Sequence, residues 1–203
     1  STETTLPEGT TKEDFDKDAV LSRFDYQLKN SGINTSHTLS PDFSWSPSDI
    51  SQIKSYHQLE KYIVLFPFCS PHLKLKKWPY YNDLISMINE KKENKFKVVI
   101  APGPDEIKDA SSINALCVLD NGKALDISQL AALIKGSLFV VANDTGPAHM
   151  TAHLGSKGIA LFGSHTTHFK VSIERENFKA IQSSQLSKLS AKTVFEILSS
   201  SIF

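Results

Sequence analysis

Three short segments of this sequence combine the residue types that handle phosphate groups. The first, Pro67-Phe68-Cys69-Ser70-Pro71-His72, follows an apolar run and leads to Lys74, Lys76 and Lys77 just ahead of Trp78-Pro79. Ammonium groups close to a helix start, where backbone N–H groups are unpaired, make a site for pyrophosphate. The same residues would also make a solvated basic loop in which Pro79 merely opens a helix. The second segment is Pro102-Gly103-Pro104-Asp105-Glu106. Its glycine permits a sharp exit from a strand, and the Glu106 carboxylate can accept hydrogen bonds from ribose hydroxyls. Acidic residues in a first helical turn are, however, favoured by the helix dipole whether or not anything binds. The third is Val140-Val141-Ala142-Asn143-Asp144-Thr145-Gly146-Pro147-Ala148-His149. Here the backbone N–H groups of Thr145, Gly146 and Ala148, with the Thr145 hydroxyl, are placed to converge on phosphate oxygens, the alternative being an ordinary helix cap.

Other chemistries fit less well. Asp144-Thr145-Gly146 is the triplet of aspartic proteases, but those enzymes use paired carboxylates. In this chain it occurs once, between an apolar run and a helical pattern. His149 and His153 lie four residues apart, with His165 and His168 beyond, but Met150 follows His149 where a zinc metalloprotease needs glutamate. They read as surface or core histidines; a metal-dependent hydrolase would instead contain zinc. No P-loop and no GxGxxG occurs. With 22 basic against 22 acidic residues, no overall field gathers nucleic acid or an anionic bilayer. No apolar run approaches the ~20 residues of a membrane span, so membrane contact is at most peripheral. Cys69 and Cys117 stand far apart in apolar settings, which suits a reducing compartment and gives the cytoplasm as the expected location. The chain opens on Ser1 without a secretion signal, and a chain lacking an initiator Met is processed or a piece of something longer.

The elements that must position these loops follow from hydrophobic period. Residues 1–11 read as a disordered lead-in. Phe15, Ala19, Phe24 and Leu28 predict one helix over 12–31, stopped at Gly32. A second helix is expected over 48–59. Then short apolar runs alternate with amphipathic stretches: strands over 62–66, 96–101, 115–119, 138–142, 158–162 and, more weakly, 178–181, and helices over 79–91, near 106, and over 126–135, 147–154 and 191–199. Such alternation predicts an α/β fold with a doubly wound parallel sheet, whose ligands bind at the carboxyl ends of the strands. Residues 1–47 are expected to be a lead-in and helical remnant of a preceding domain or linker, and 48–203 a nucleotide-sugar-binding domain.

In this order, Ser70-Pro71-His72 with Lys76-Lys77-Trp78-Pro79, Gly103-Pro104-Asp105-Glu106, and Asn143 to His149 followed by Leu161-Phe162-Gly163 resemble the donor-binding domain of glycosyltransferase family nine, the heptosyltransferase relatives. The resemblance covers roughly residues 60–165. It implies a Rossmann-like fold, the carboxy-terminal half of a GT-B enzyme. It also implies that Lys76 and the Thr145–Gly146 backbone hold a donor pyrophosphate, that Glu106 binds ribose, and that Asp144 and His149 shape the diphosphate-sugar site, with Ser70 in the phosphate loop. Lys76 and Asp144 would activate the donor. Phe68, Pro102 and Ser164 depart from the family pattern, where glycine, glycine and proline are usual.

The function implied is transfer of a heptose-like sugar from a nucleoside diphosphate, ADP above all, to a saccharide or lipopolysaccharide-type acceptor. The reaction would be inverting and metal-independent, with no cofactor beyond the nucleotide-sugar substrate, at the inner face of the cytoplasmic membrane. The acceptor domain and its general base are expected to be missing from this chain. A non-catalytic nucleotide-sugar-binding module or partner subunit is the alternative.

Overall fold

A computed structural model of the chain describes residues 5–70, 72–91 and 96–202. Pro71 of the first loop and residues 1–4 of the expected lead-in lie outside the described residues. Six strands, β1 Tyr62–Phe66, β2 Lys97–Ile100, β3 Leu116–Cys117, β4 Phe139–Asn143, β5 Gly158–Phe162 and β6 Phe178–Gln182, form one sheet in the order β3-β2-β1-β4-β5-β6. Every pairing is parallel, so the doubly wound α/β class expected from the sequence is the one observed.

Each face of the sheet has its own core, because successive strand side chains point to opposite sides. Ile63 and Leu65 of β1 face α4 Tyr81–Glu90 and α7 Ala191–Ile202, where Leu84, Ile85, Ile88, Val194 and Leu198 are buried. Val64 and Phe66 face α3 Ser51–Tyr56, α5 Ile127–Lys135 and α6 Gly146–His153. All residues of β1, β4 and β5 are buried, which is why these strands are continuous apolar runs rather than alternating ones. Burial of each such aliphatic side chain contributes about 1.5–3 kcal/mol. At Gly158 a Cβ would stand 2.5 Å from the Val140 carbonyl, so only glycine lets β5 approach β4 this closely.

The amino-terminal region differs from expectation. Instead of one helix over 12–31 there are two, α1 Lys12–Phe15 and α2 Val20–Asn30. Thr11 caps α1 by accepting the Asp14 N–H, and Asp16 ends it, its carboxylate drawn to Arg23 at 2.9 Å. Ala19 is extended, and the Val20 N–H donates to the Lys170 carbonyl at 2.8 Å, so a tertiary contact holds the break at which the second helix starts. Phe24, expected on the inward face, is consequently 55% exposed. The stop at Gly32 is as read: with φ +72° it lets its own N–H and that of Ile33 satisfy the Lys29 and Leu28 carbonyls. Within the expected disordered lead-in, Thr5 exchanges hydrogen bonds with the Gln27 side chain, and Thr10 donates to Pro7. The helix expected from 48 begins at Ser51, because the Asp49 carboxylate accepts the Ser51 N–H and closes a turn there.

Candidate functional site

The chain runs outward from β1 to β3 and then returns to β4 on the other side of β1. The strand order therefore reverses between β1 and β4, and a crevice opens beyond their carboxyl ends. Its volume is about 350 Å³, and it is lined by Phe68, Cys69 and Ser70 after β1, by Pro102 to Glu106 after β2, by Leu125 and Leu130, and by Thr145, Gly146 and Pro147 after β4. The three loops singled out in the sequence thus meet in space. Of the expected residues, Ser70, Glu106, Thr145 and Gly146 line this crevice. Lys76, Asp144 and His149 do not; they gather beside it around one carboxylate.

That carboxylate belongs to Asp144, whose side chain is only 4% exposed. Its Oδ2 accepts from Lys76 Nζ at 2.7 Å and from His165 Nε2 at 2.9 Å. His149 Nε2 stands 3.7 Å from Oδ1. Lys76 also donates to the Asp144 backbone carbonyl at 3.2 Å. Burial pushes the Asp144 carboxyl up, but the nearby His149 ring and the hydrogen bonds from Lys76 and His165 outweigh it and hold the group well below the usual carboxylate range. His165, read as a surface or core histidine, is in fact a partner of this anion, and only the fold brings it there; His149, which the family resemblance placed at the site, stands beside the same carboxylate.

The loop after β4 also corrects several details. Thr145 is the residue before α6, but its hydroxyl donates back to the Asn143 carbonyl at 3.3 Å and does not cap the helix. The Ala148 N–H, expected to face a phosphate, is bonded to the Thr145 carbonyl at 3.0 Å. The first turn of α6 therefore opens on the crevice without a side-chain cap, but Pro147 has no N–H and those of Ala148 and His149 are bonded to the Thr145 carbonyl, which leaves the Thr145 and Gly146 N–H groups to attract an anion. Glu106 bends back so that its Oε2 accepts the Gly103 N–H at 2.8 Å, which commits one oxygen to the turn itself.

Asn143, quoted in the motif but given no role, proves to be the bolt of the site. It is fully buried. Its Oδ1 accepts from the Trp78 N–H at 3.3 Å and from the Tyr81 hydroxyl at 3.2 Å, and its Nδ2 donates to the Pro67 carbonyl at 2.9 Å. Both ends of the loop carrying Lys76 are thereby tied to the end of β4. Trp78 is itself anchored, its Nε1 donating to the Leu189 carbonyl at 2.8 Å. The signal that would have found Asn143 is a polar residue closing a buried apolar run, since such a group must find partners.

At the far end of α6, burial, Arg175 and His149 push the His153 imidazole down to about 4 from 6.5. Its Nδ1 lies 3.4 Å from the Arg175 guanidinium, an arrangement that suits a neutral ring. The unfolded chain gains a proton here as pH falls through 6.5 while the folded chain does not until about 4. Stability from this group is therefore complete above 6.5 and declines between those two values. Urea unfolding followed across that window is expected to show a falling midpoint in the wild type and a flatter one in His153→Gln; identical slopes would contradict this account. Asp144 does not interfere, because its depressed carboxyl acts only below 3.8.

A larger groove of about 750 Å³ lies between α3 and the β3–α5 connection. Among the described residues its lining includes Asp49 and Asp120 and no lysine or arginine, which disfavours an anion. Among the described residues no group of three His, Cys, Asp or Glu side chains is arranged to hold a metal ion, and no helix is long and apolar enough to cross a membrane.

Residues 10–196 match the model of glycosyltransferase family 9 (heptosyltransferase). No curated protein matches the chain. Among solved structures, the fold is similar to that of a glycosyl transferase family 9 protein from Veillonella parvula DSM 2008, with TM-score 0.72 and 15% identity, covering 98% of this chain and 62% of that one. It is also similar to E. coli heptosyltransferase WaaC with ADP, with TM-score 0.62 and 19% identity over 91% of this chain and 57% of that one. A third likeness is to E. coli ADP-heptose lps heptosyltransferase II, with TM-score 0.60 and 18% identity over 76% of this chain and 52% of that one. At these identities the likeness is one of fold, and the chain spans 52–62% of the length of these relatives.

Proposed function

The chain belongs to glycosyltransferase family 9, the heptosyltransferase family, and from that premise we propose that residues 48–203 form the donor-binding half of an enzyme transferring a heptose-like sugar from a nucleoside diphosphate, with residues 1–47 leading in from a preceding domain or linker. The donor is ADP-linked, the acceptor a saccharide or lipopolysaccharide-type molecule, and the work is done in the cytoplasm at the membrane's inner face. The acceptor and the base that takes its proton are assigned to a second Rossmann-like domain. Ser70, Glu106, Thr145 and Gly146 hold the nucleotide, Glu106 at the ribose. Lys76, Asp144 and His149 act at the diphosphate and sugar.

The observation that supports this reading most is the uncapped first turn of α6 opening on the crevice beside the Lys76 ammonium. As the bond between the anomeric carbon and the diphosphate oxygen breaks, negative charge grows on the leaving group. A preorganised ammonium and the backbone N–H groups of Thr145 and Gly146 stabilise that charge without a metal. The acceptor oxygen attacks from the opposite face, inverting the anomeric carbon.

Calorimetry with ADP, UDP and adenosine tests the assignment. ADP is expected to bind and adenosine to bind far more weakly, because the diphosphate carries most of the contact. Equal affinity for adenosine, or no binding of either diphosphate at millimolar concentration, would remove the site.

A further inference from the structure

His165 lies just beyond β5, from which no site residue was expected. Its ring stacks on Phe162 with centroids 6.2 Å apart and planes at 12°. The side chain is 11% exposed and delivers Nε2 to Asp144 Oδ2 at 2.9 Å. Among the described residues its Nδ1 is buried without a partner. A Cβ on Gly163 would press on this Nδ1 at 3.4 Å and on the Leu75 carbonyl at 3.0 Å, so the ring sits in space that the glycine leaves open.

We propose that His165 is a positioning residue of the donor site: as a fixed Nε2–H donor it holds the Asp144 carboxylate in place, so that Lys76 can turn from Asp144 to the donor diphosphate. This deepens the reading of the crevice as a donor site and rests on it. Lys76 and His165 share one oxygen of Asp144 but differ in mobility. Lys76 is 23% exposed on a flexible stem, and an arriving anion competes for its charge. His165 is stacked and nearly enclosed, so the same anion cannot draw it away. A carboxylate as buried as Asp144 stays ionised only while donors remain on it. Among the described residues three groups face it: Lys76 from the loop after β1, His149 from α6 and His165 from the loop after β5. Once Lys76 is engaged elsewhere, His165 is the closer of the two that stay. The tautomer follows from the contacts. Nε2 carries the proton toward the carboxylate, and the orphan Nδ1 is a bare acceptor, which costs less buried than an unpaired N–H.

Two variants separate this role from simple packing. His165→Phe keeps a stacked ring and removes the donor; His165→Gln returns an N–H near the Nε2 position. ADP affinity measured by calorimetry from pH 5 to 8 is expected to fall about tenfold in His165→Phe near neutrality, as for a lost hydrogen bond to a charged group. The deficit is expected to persist across that range, because the Asp144 carboxylate, held well below the usual range, stays ionised throughout it. His165→Gln is expected to restore the affinity. In ligand-free protein the Asp144 titration, followed by carboxyl ¹³C shifts, should move up by about one pH unit in His165→Phe and return in His165→Gln. A folded His165→Phe protein that binds ADP as the wild type does at every pH overturns the proposal, and so does failure of the glutamine to restore binding. Should wild-type protein bind neither ADP nor UDP, the donor reading falls and the ligand-free titration decides alone: a rise reversed by glutamine upholds His165 as the residue fixing Asp144, and no rise overturns it. Imidazole ¹⁵N shifts of the wild type need no variant, and a proton found on Nδ1 with Nε2 bare would also overturn it.

Discussion

Lys76→Ala is expected to weaken ADP binding by about 1.5–3 kcal/mol, roughly 10- to 150-fold, with the fold intact. The ammonium is a charge-assisted donor beside the crevice, and removing it takes away both a hydrogen bond and a local positive charge. The loss stays below the Coulomb energy of a buried pair because Lys76 is already engaged with Asp144 before ligand arrives, and separating them offsets part of the gain. Stability should change less than binding does: Asp144 keeps His165 at 2.9 Å and His149 nearby when the lysine is gone. Calorimetric titration of ADP, paired with urea unfolding of the same variant, reads the two effects separately. An affinity equal to that of the wild type would take Lys76 out of the site altogether. Lys76→Arg is an informative companion, since a planar guanidinium keeps the charge but cannot occupy the same point between the Asp144 side chain and its carbonyl.

Asn143→Ala should destabilise the fold by about 2–4 kcal/mol and also weaken ADP binding at temperatures where the variant is folded. The truncation leaves the buried Trp78 N–H and the Pro67 carbonyl without their Asn143 partner, while the Tyr81 hydroxyl keeps the Phe66 carbonyl at 3.2 Å. It also opens a void at the end of β4. Stability and binding are coupled here because the hydrogen bonds lost are those tying the Lys76 loop to the sheet. Asn143→Asp is a stricter test: it keeps an acceptor for Trp78 but turns an oxygen toward the Pro67 carbonyl and buries a charge, so it should be at least as damaging. A urea midpoint within error of the wild type for Asn143→Ala would show that the loop is held by other contacts.

Both predictions concern residues whose importance was unequally visible beforehand. Lys76 stood out because three lysines precede a helix start. Asn143 did not, because an asparagine after Val140-Val141-Ala142 looks like the start of a cap rather than the end of a buried strand. His165 was less visible still: its partner Asp144 lies 21 positions away, and no local period relates them. The same limit explains the broken helix near Ala19. The local pattern favoured continuation, and the competing contact, Val20 to Lys170, is remote in sequence.

By itself, then, the amino-acid order determined the elements and their class. Tyr62–Phe66, Phe139–Asn143 and Gly158–Phe162 are apolar on both faces and so had to be central parallel strands; helices of matching length had to cover them, and the strand-end loops had to carry the polar chemistry. Those are consequences of short-range periodicity. Tertiary structure alone decided which polar groups meet: that Glu106 spends one oxygen on its own turn, that the Thr145 hydroxyl bonds back to the Asn143 carbonyl, and that Lys76, His149 and His165 close on one buried carboxylate. The reason is physical. Hydrophobic burial is non-directional and leaves a repeating trace along the chain, whereas a hydrogen bond depends on distances of a few tenths of an ångström between groups that only the packed sheet brings together.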